Sequence, residues 1–380
     1  MRVRKRNVTI DVAKGIGIIL VVVAHAGMPG SAIVNRFHMA FFFFLSGLTV
    51  SERYLEDIKS VGLFVWKRIK GLYVPFVVFN GLFYLLYNQL IKINILTDNP
   101  HFLDHIDVAG GNSYGTVTAL SRSEIAAHLV QVLKFQGEGQ LGGALWFLRV
   151  LFGVACTWVL VNYLLKTLMR VPDGLRMGAN LALGAVFVFL AFSLEQQGIA
   201  FLYGQYETVM ASYLMYVAGA YLHDATFQAD RKGEVAIVVS AFVVLELCNR
   251  VCFMLGWNCS VNQMGNPYMF LLTSAIGILC FYFMAHLLGQ VDCVRRALSW
   301  LGRNSLWILL LQFAAFKLVT LIQCLVYAQP LYRVASFPVF INGGGWWAAY
   351  SLAGLVLPAA LGTLWSHAKY ALHAKLRPPA

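Results

Sequence analysis

The chain has 380 residues, of which 59% are hydrophobic and only 12% charged, and its mean hydropathy is +0.68. Soluble domains carry about 25% charged residues, so an ordinary soluble fold is excluded and a polytopic membrane protein is indicated. The net charge of +12 and pI near 9.4 do not signal nucleic acid, because the basic residues are dispersed over short loops and form no single basic face.

Apolar runs near the ~20 residues needed to cross a bilayer predict ten helical spans in an all-α bundle. They fall at 9–26, 36–51, 71–93, 144–165, 178–194, 208–223, 235–254, 267–288, 304–326 and 345–368. The first carries Asp11, Lys14 and His25 within an otherwise apolar stretch. An α-helix turns about 100° and rises about 1.5 Å per residue, so Lys14 and His25 share one face, roughly 16 Å apart along the axis. Asp11 precedes Lys14 by one turn and lies near the same face. Ionisable groups within spans are costly and mark functional sites. Basic residues before this span and Ala24-His25-Ala26 after it also fit a cleaved signal peptide, but Asp11 and Lys14 interrupt the apolar run and nine more spans follow.

Phe37 to Gly47 reads FHMAFFFFLSG, a short second span bracketed by Arg36 and Glu52. The amphipathic segment 52–70 ends in Lys67-Arg68-Ile69-Lys70. The longest loop, about 94–143, contains Ser121 and Glu124 at capping-box spacing, which predicts a short helix through Phe135. His101, Asp104, His105 and Asp107 have a spacing compatible with metal ligation and equally with a solvated loop, and no metal is assigned to them. Glycines at 137, 139, 142 and 143 then lead into Trp146. The seven cysteines are odd in number and lack a C-x-x-C pair, so they indicate neither a zinc site nor a disulfide framework. No internal repeat is evident, and residues 1–380 are treated as one membrane-embedded domain.

The distribution of basic residues orients the spans. With the N-terminus in the cytoplasm, inside segments hold Arg2 to Arg6, the 52–70 cluster, Lys166, Arg176, Arg231, Arg295, Arg303 and the basic C-terminus. Both termini are therefore predicted to be cytoplasmic and the loop 94–143 external.

These motifs resemble the membrane acyltransferase-3 family, particularly its branch related to fucose 4-O-acetylases of bacterial surface polysaccharides. The family opens with a basic residue, ten residues and a histidine on the first span, matched by Lys14 and His25. Asp11-Val12-Ala13-Lys14-Gly15 fits the D-x-x-K-G form of that branch, and Phe37 through Gly47 fits its F-H-M-P-x-F-F-F-L-S-G motif. Leu145-Trp146-Phe147-Leu148 and Gly302-Arg303-Asn304-Ser305-Leu306 match two later motifs, so the correspondence runs over nearly the whole chain. Ala40 replaces the usual proline, and Gln312 stands where the family often has a histidine, so no proton-transfer role carries to that position.

The resemblance implies an integral membrane O-acyltransferase of the bacterial plasma membrane. It would move an acyl group, acetyl in the first instance, from acetyl-CoA to a sugar hydroxyl of an envelope polysaccharide or lipid-linked glycan. Acyl-CoA is then a substrate, and no permanently bound cofactor is implied. A hydroxyl needs a base to become a nucleophile, and imidazole suits that role. His25 is the candidate base, and His38 a second base, an acceptor-orienting group or a structural histidine. Lys14 either stabilises the thioester oxygen, binds a donor phosphate, or pairs with Asp11 to lower the cost of burying both. Gly15 and Gly17 bare the helix surface, for a thin pantetheine-like arm or for close helix packing. Lys67, Arg68 and Lys70 are donor-phosphate candidates, or topology signals alone. Trp146 and Phe147 would stack on the acceptor sugar or anchor the interface. A transporter or flippase of lipid-linked sugars is the competing reading. Lys14 and His25 together with a cytoplasmic basic cluster separate the two, because transport alone gives them no use.

The charge asymmetry yields a direct test. With reactive native cysteines removed, Asn112→Cys is expected to react with an impermeant thiol reagent applied from outside, and Asp230→Cys is not. The reverse labelling pattern overturns the orientation.

Overall fold

The computed structural model describes residues 8–103, 115–199, 206–222 and 230–375. Arg2 to Arg6, Asp104, His105, Asp107, Asn112 and the residues after 375 lie outside the described residues. The described chain is helical: α1 Val8–His25, α2 Ala32–Asn35, α3 His38–Gly47, α4 Ile58–Arg68, α5 Val74–Leu85, α6 Tyr87–Lys92, α7 Arg122–Leu133 and α8 Trp146–Tyr163. There follow α9 Asp173–Gln196, α10 Tyr206–Tyr221, α11 Arg231–Met254, α12 Pro267–Gly289, α13 Asp292–Arg303, α14 Ser305–Val326 and α15 Trp346–Lys375. A two-residue hairpin, β1 Cys259–Ser260 with antiparallel β2 Gln263–Met264, separates α11 from α12.

Local chemistry sets several helix starts. Asp57, Asp230 and Asn266 accept backbone N–H bonds from Ser60, Gly233 and Met269, and Pro267 occupies the first turn of α12, the side-chain capping and proline placement that orphan N-terminal donors call for. The capping box of Ser121 and Glu124 forms as its spacing predicts. Bonds from the Ser121 hydroxyl and backbone hold the Glu124 carboxyl below its ordinary range. The helix stops at Leu133, two residues short of the predicted Phe135, because Phe135 takes a positive φ of 64° that no helix accommodates.

Among the described residues seven helical segments are long and apolar enough to cross a membrane: Val8–His25, Gln140–Leu168, Asp173–Gln196, Arg231–Met254, Pro267–Gly289, Ser305–Val326 and Trp346–Ala371. The other three of the ten predicted spans are shorter helices. The 36–51 run forms the 10-residue α3, and 208–223 forms the 16-residue α10. The 71–93 run is divided into a π-helical turn over Ile69–Tyr73, then α5 and α6, with a break at Leu86.

Contacts within the chain define two compact units where the sequence predicts a single domain. The first comprises Met1–Ala13, Ala32–Phe76 and Trp146–Arg295; the second comprises Lys14–Ser31, Val77–Leu145 and Arg296–Ala380.

In the first unit α3 and α10 touch backbone to backbone. A Cβ at Gly47 would collide with the Tyr216 carbonyl, and one at Gly219 with the Phe44 carbonyl, so these glycines permit the small-residue packing favoured between apolar helices. The Phe37 ring stacks on Phe281 at 4.8 Å over Gly277, which leaves the room it needs. Several buried polar groups find partners within the unit. Arg176, only 1% exposed, pairs with Glu52 at 2.5 Å and Asp173 at 3.0 Å, and Glu52 also takes Lys166 at 2.7 Å. Asn162 and Asn180 exchange bonds while Tyr213 and Tyr221 close the quartet.

The second unit packs α14 against α15 and seats Gly15 of α1 directly on the Leu298 carbonyl, contact a Cβ would forbid. The glycine-bared surface at Gly15 is thus used for helix packing. Asn304, in the Gly302–Leu306 motif, bonds the Trp300 carbonyl and Thr363, and Trp300 Nε1 reaches the same Thr363. That motif therefore turns α13 into α14 and fastens both to α15. The α14–α15 connection folds back into the unit, burying Val334, Ala335, Phe337 and Val339. Its backbone is held at several points. Lys317 Nζ donates to the Ala335 and Ser336 carbonyls at 3.0 and 2.8 Å, Gln323 to the Ile341 carbonyl at 2.7 Å, and Asn342 to the Gly27 carbonyl at 3.0 Å. Arg333 reaches the Phe102 carbonyl and Gln140 the Ala335 carbonyl.

Lys317 is the anchor of that connection, since its buried Nζ donates to two carbonyls that have been withdrawn from water. Lys317→Ala is expected to cost about 3 kcal/mol, read as a lower Tm in detergent and faster proteolysis between 328 and 342. Unchanged Tm and cleavage in the variant would show that the connection is held without it.

Candidate functional site

The candidate residues divide between the two units. Lys14 and His25 belong to the second, on one helix and eleven residues apart as the sequence requires; Asp11 and His38 belong to the first. Asp11 is buried, and Lys14 and His25 are half-buried, so the imidazole is neither sealed nor freely solvated.

Around His25 the second unit builds a defined setting. Nδ1 of His25 lies 3.1 Å from Oε1 of Gln312, a side chain with no exposed surface. The next residue on α14, Phe313, places its ring 5.0 Å from the imidazole at a tilt of 51°, and itself packs on Phe337 at 4.6 Å. Gly143 lies under both phenylalanines. An imidazole gripped by a hydrogen bond and a ring, with part of its surface open, is suited to proton transfer.

His38 begins α3, and its Nδ1 lies 2.8 Å from the Val34 carbonyl, so the ring is tied to the turn that precedes its own helix. The side chains of Lys67, Arg68 and Lys70 meet different neighbours. Lys67 bonds the Tyr54 hydroxyl at 2.9 Å, and Lys70 lies exposed over the Trp66 ring at 4.9 Å. Partial burial pushes the Tyr54 phenol up, but bonds from Lys67 and Arg53 outweigh it and hold the group below its ordinary value. Arg68 alone turns inward. It stacks on Phe64 at 4.8 Å, and its charge acts on the buried Tyr216 hydroxyl and on Cys156. Of the two acceptor candidates, Phe147 is packed between Phe42 at 5.7 Å and Phe43 at 5.3 Å. Trp146 stays half-buried with its ring edge-on to Phe147.

Three features escape the sequence reading. Gln312 looks like a lost histidine, and its only sequence signal is an amide in the apolar run LWILLLQFAAF. Arg176 reads as a loop cation but is buried in an ion-pair network. A cleft of about 230 Å³ in the first unit is lined by Glu195, Glu207 and Thr208 at the ends of α9 and α10 and by Asn262 between β1 and β2, polar residues that no motif marks. Among the described residues no group of three or more His, Cys, Asp or Glu is placed to hold a metal ion.

A family model described as an acyltransferase domain, of the acyltransferase-3 type, matches residues 7–365. The chain therefore belongs to the acyltransferase-3 family and is a membrane acyltransferase. No curated protein and no solved structure matches it significantly.

Proposed function

We propose that this protein is an O-acetyltransferase of the bacterial plasma membrane that moves acetyl from acetyl-CoA to a sugar hydroxyl of an envelope polysaccharide or its lipid-linked precursor. The observation that carries the reading is His25, a partly accessible imidazole on a membrane-length helix, held by Gln312 and Phe313 in a chain of the acyltransferase-3 family. The D-x-x-K-G and F-H-M…F-F-F-L-S-G motifs support the branch related to fucose 4-O-acetylases. The whole chain then works as one domain with ten membrane crossings and both termini in the cytoplasm.

In this reading His25 is the general base that takes the acceptor's proton. Lys14, deeper on the same helix, stabilises the thioester oxygen or a donor phosphate, and Asp11 orients or neutralises Lys14. The inward setting of Arg68 supports it as the donor-phosphate contact, with Lys67 and Lys70 contributing the local positive potential through which the donor approaches. Trp146 is the better-exposed of the two acceptor candidates, and His38, held by the Val34 carbonyl, steadies the start of α3.

Two measurements test this. Membranes carrying wild type, His25→Ala or His25→Gln are incubated with labelled acetyl-CoA, and the labelled glycan is identified by mass spectrometry. Both variants are expected to lose about 10²–10⁴-fold in rate while insertion and donor binding persist. A well-inserted His25→Ala protein with near wild-type transfer removes the base and favours the transporter reading. In the same assay Arg68→Ala is expected to raise the apparent KM for acetyl-CoA about tenfold, and Lys67→Ala and Lys70→Ala to raise it far less. Equal effects from all three would assign the cluster to diffuse attraction.

A further inference from the structure

We infer that Gln312 is the positioning partner of His25: it keeps the imidazole in the tautomer whose Nε2 is free to accept a proton, and it reserves its own amide N–H for the acyl carbonyl oxygen. The inference rests on the reading of His25 as the base.

The argument begins with what an amide oxygen can do. Oε1 of Gln312 only accepts hydrogen bonds, and it lies 3.1 Å from Nδ1 of His25. Nδ1 must therefore carry the hydrogen, and a neutral imidazole has only one. Nε2 is left with its lone pair, the form a general base requires. The ring is kept from turning by Phe313, whose centroid is 5.0 Å away and which is itself backed by Phe337.

The other end of the same amide is the second observation. Gln312 has no exposed surface, and its Nε2 is buried without a hydrogen-bond partner. Buried donors are almost always paired, and an unpaired one is costly. A donor left unbonded beside a candidate base is available to a substrate oxygen that enters there. In acyl transfer the oxygen that gains negative charge is the thioester carbonyl's, and preorganised donors for it make a large contribution to rate.

The step then balances as follows. His25 Nε2 takes the proton of the acceptor hydroxyl as that oxygen bonds to the carbonyl carbon, and Gln312 Nε2–H donates to the carbonyl oxygen. The carbon–sulfur bond breaks, the proton passes from His25 to the departing sulfur, and ester and free thiol leave with the imidazole restored.

The test combines a spectroscopic and a kinetic readout. Histidine-selective 15N NMR of the whole protein in detergent or bilayers, with the His25 signals assigned by subtraction of His25→Gln, reports which ring nitrogen bears hydrogen. Wild type is expected to show Nδ1–H. Gln312→Leu is expected to lose that signature and about 100-fold in kcat, with KM for donor and acceptor within about threefold. Gln312→Glu, which still accepts from Nδ1–H but donates nothing, is expected to keep the signature and to remain at least about tenfold below wild type.

An Nε2–H imidazole in wild type overturns the inference without any variant. So does wild-type kcat in Gln312→Leu, and full activity in Gln312→Glu removes the carbonyl contact. Near wild-type transfer in His25→Ala would fail the base assignment itself, an outcome separate from these three.

Discussion

A polar group carried into an apolar interior has no water to bond to, so each one must find its partner inside the protein. Arg176 is tied to Glu52 and Asp173, Asn162 and Asn180 to each other and to two tyrosines, and Lys317 to two carbonyls. Once these pairs are made, helix faces and connections have little freedom left. Within the α14–α15 connection Lys317 and Gln323 satisfy the Ala335, Ser336 and Ile341 carbonyls, and Arg333 of the connection donates to the Phe102 carbonyl. Against that background the amide Nε2 of Gln312 is one of several buried side-chain atoms left unbonded, and it stands next to the histidine that the motifs single out.

The two units divide the work of holding the candidate residues. The first builds the tight α3–α10 crossing and the ion-pair network that includes Arg176, and it turns Arg68 towards buried tyrosine and cysteine. The second surrounds His25 with groups from α14 and fastens α13, α14 and α15 through Asn304 and Thr363. Helix α1 contributes residues to both.

Membrane character, helical class and the presence of charged residues in the first span were legible from composition and spacing, because burying charge in an apolar run is rare enough to stand out. The capping box at Ser121 was legible for a similar reason: two side chains at fixed spacing meet without help from the rest of the fold. Span lengths were less so. Apolar composition does not record where α3 is cut short, or where the 71–93 run breaks at Leu86, since those ends depend on packing and backbone geometry. The partner of His25 was hidden for a further reason. Gln312 is 287 positions away, and the motif comparison marked it as a departure; only the fold brings its amide to the imidazole. Lys67, Arg68 and Lys70 are neighbours in sequence, yet helical phase and aromatic partners send them different ways.

The π-helical turn over Ile69–Tyr73 lies where the amphipathic α4 gives way to the apolar α5. Such a turn closes i→i+5 bonds and holds one residue more than the α turn it replaces. That additional residue offsets the azimuth of everything after it by about 100°. Rewinding residues 69 to 73 as an α turn with no residue removed would therefore swing Asn80, now wholly enclosed, out of its seat beside Gly142, whereas excising one residue there would straighten the ladder and keep the phase of α5. The helix works here as an indexed shaft, in which a length of one residue sets an angle.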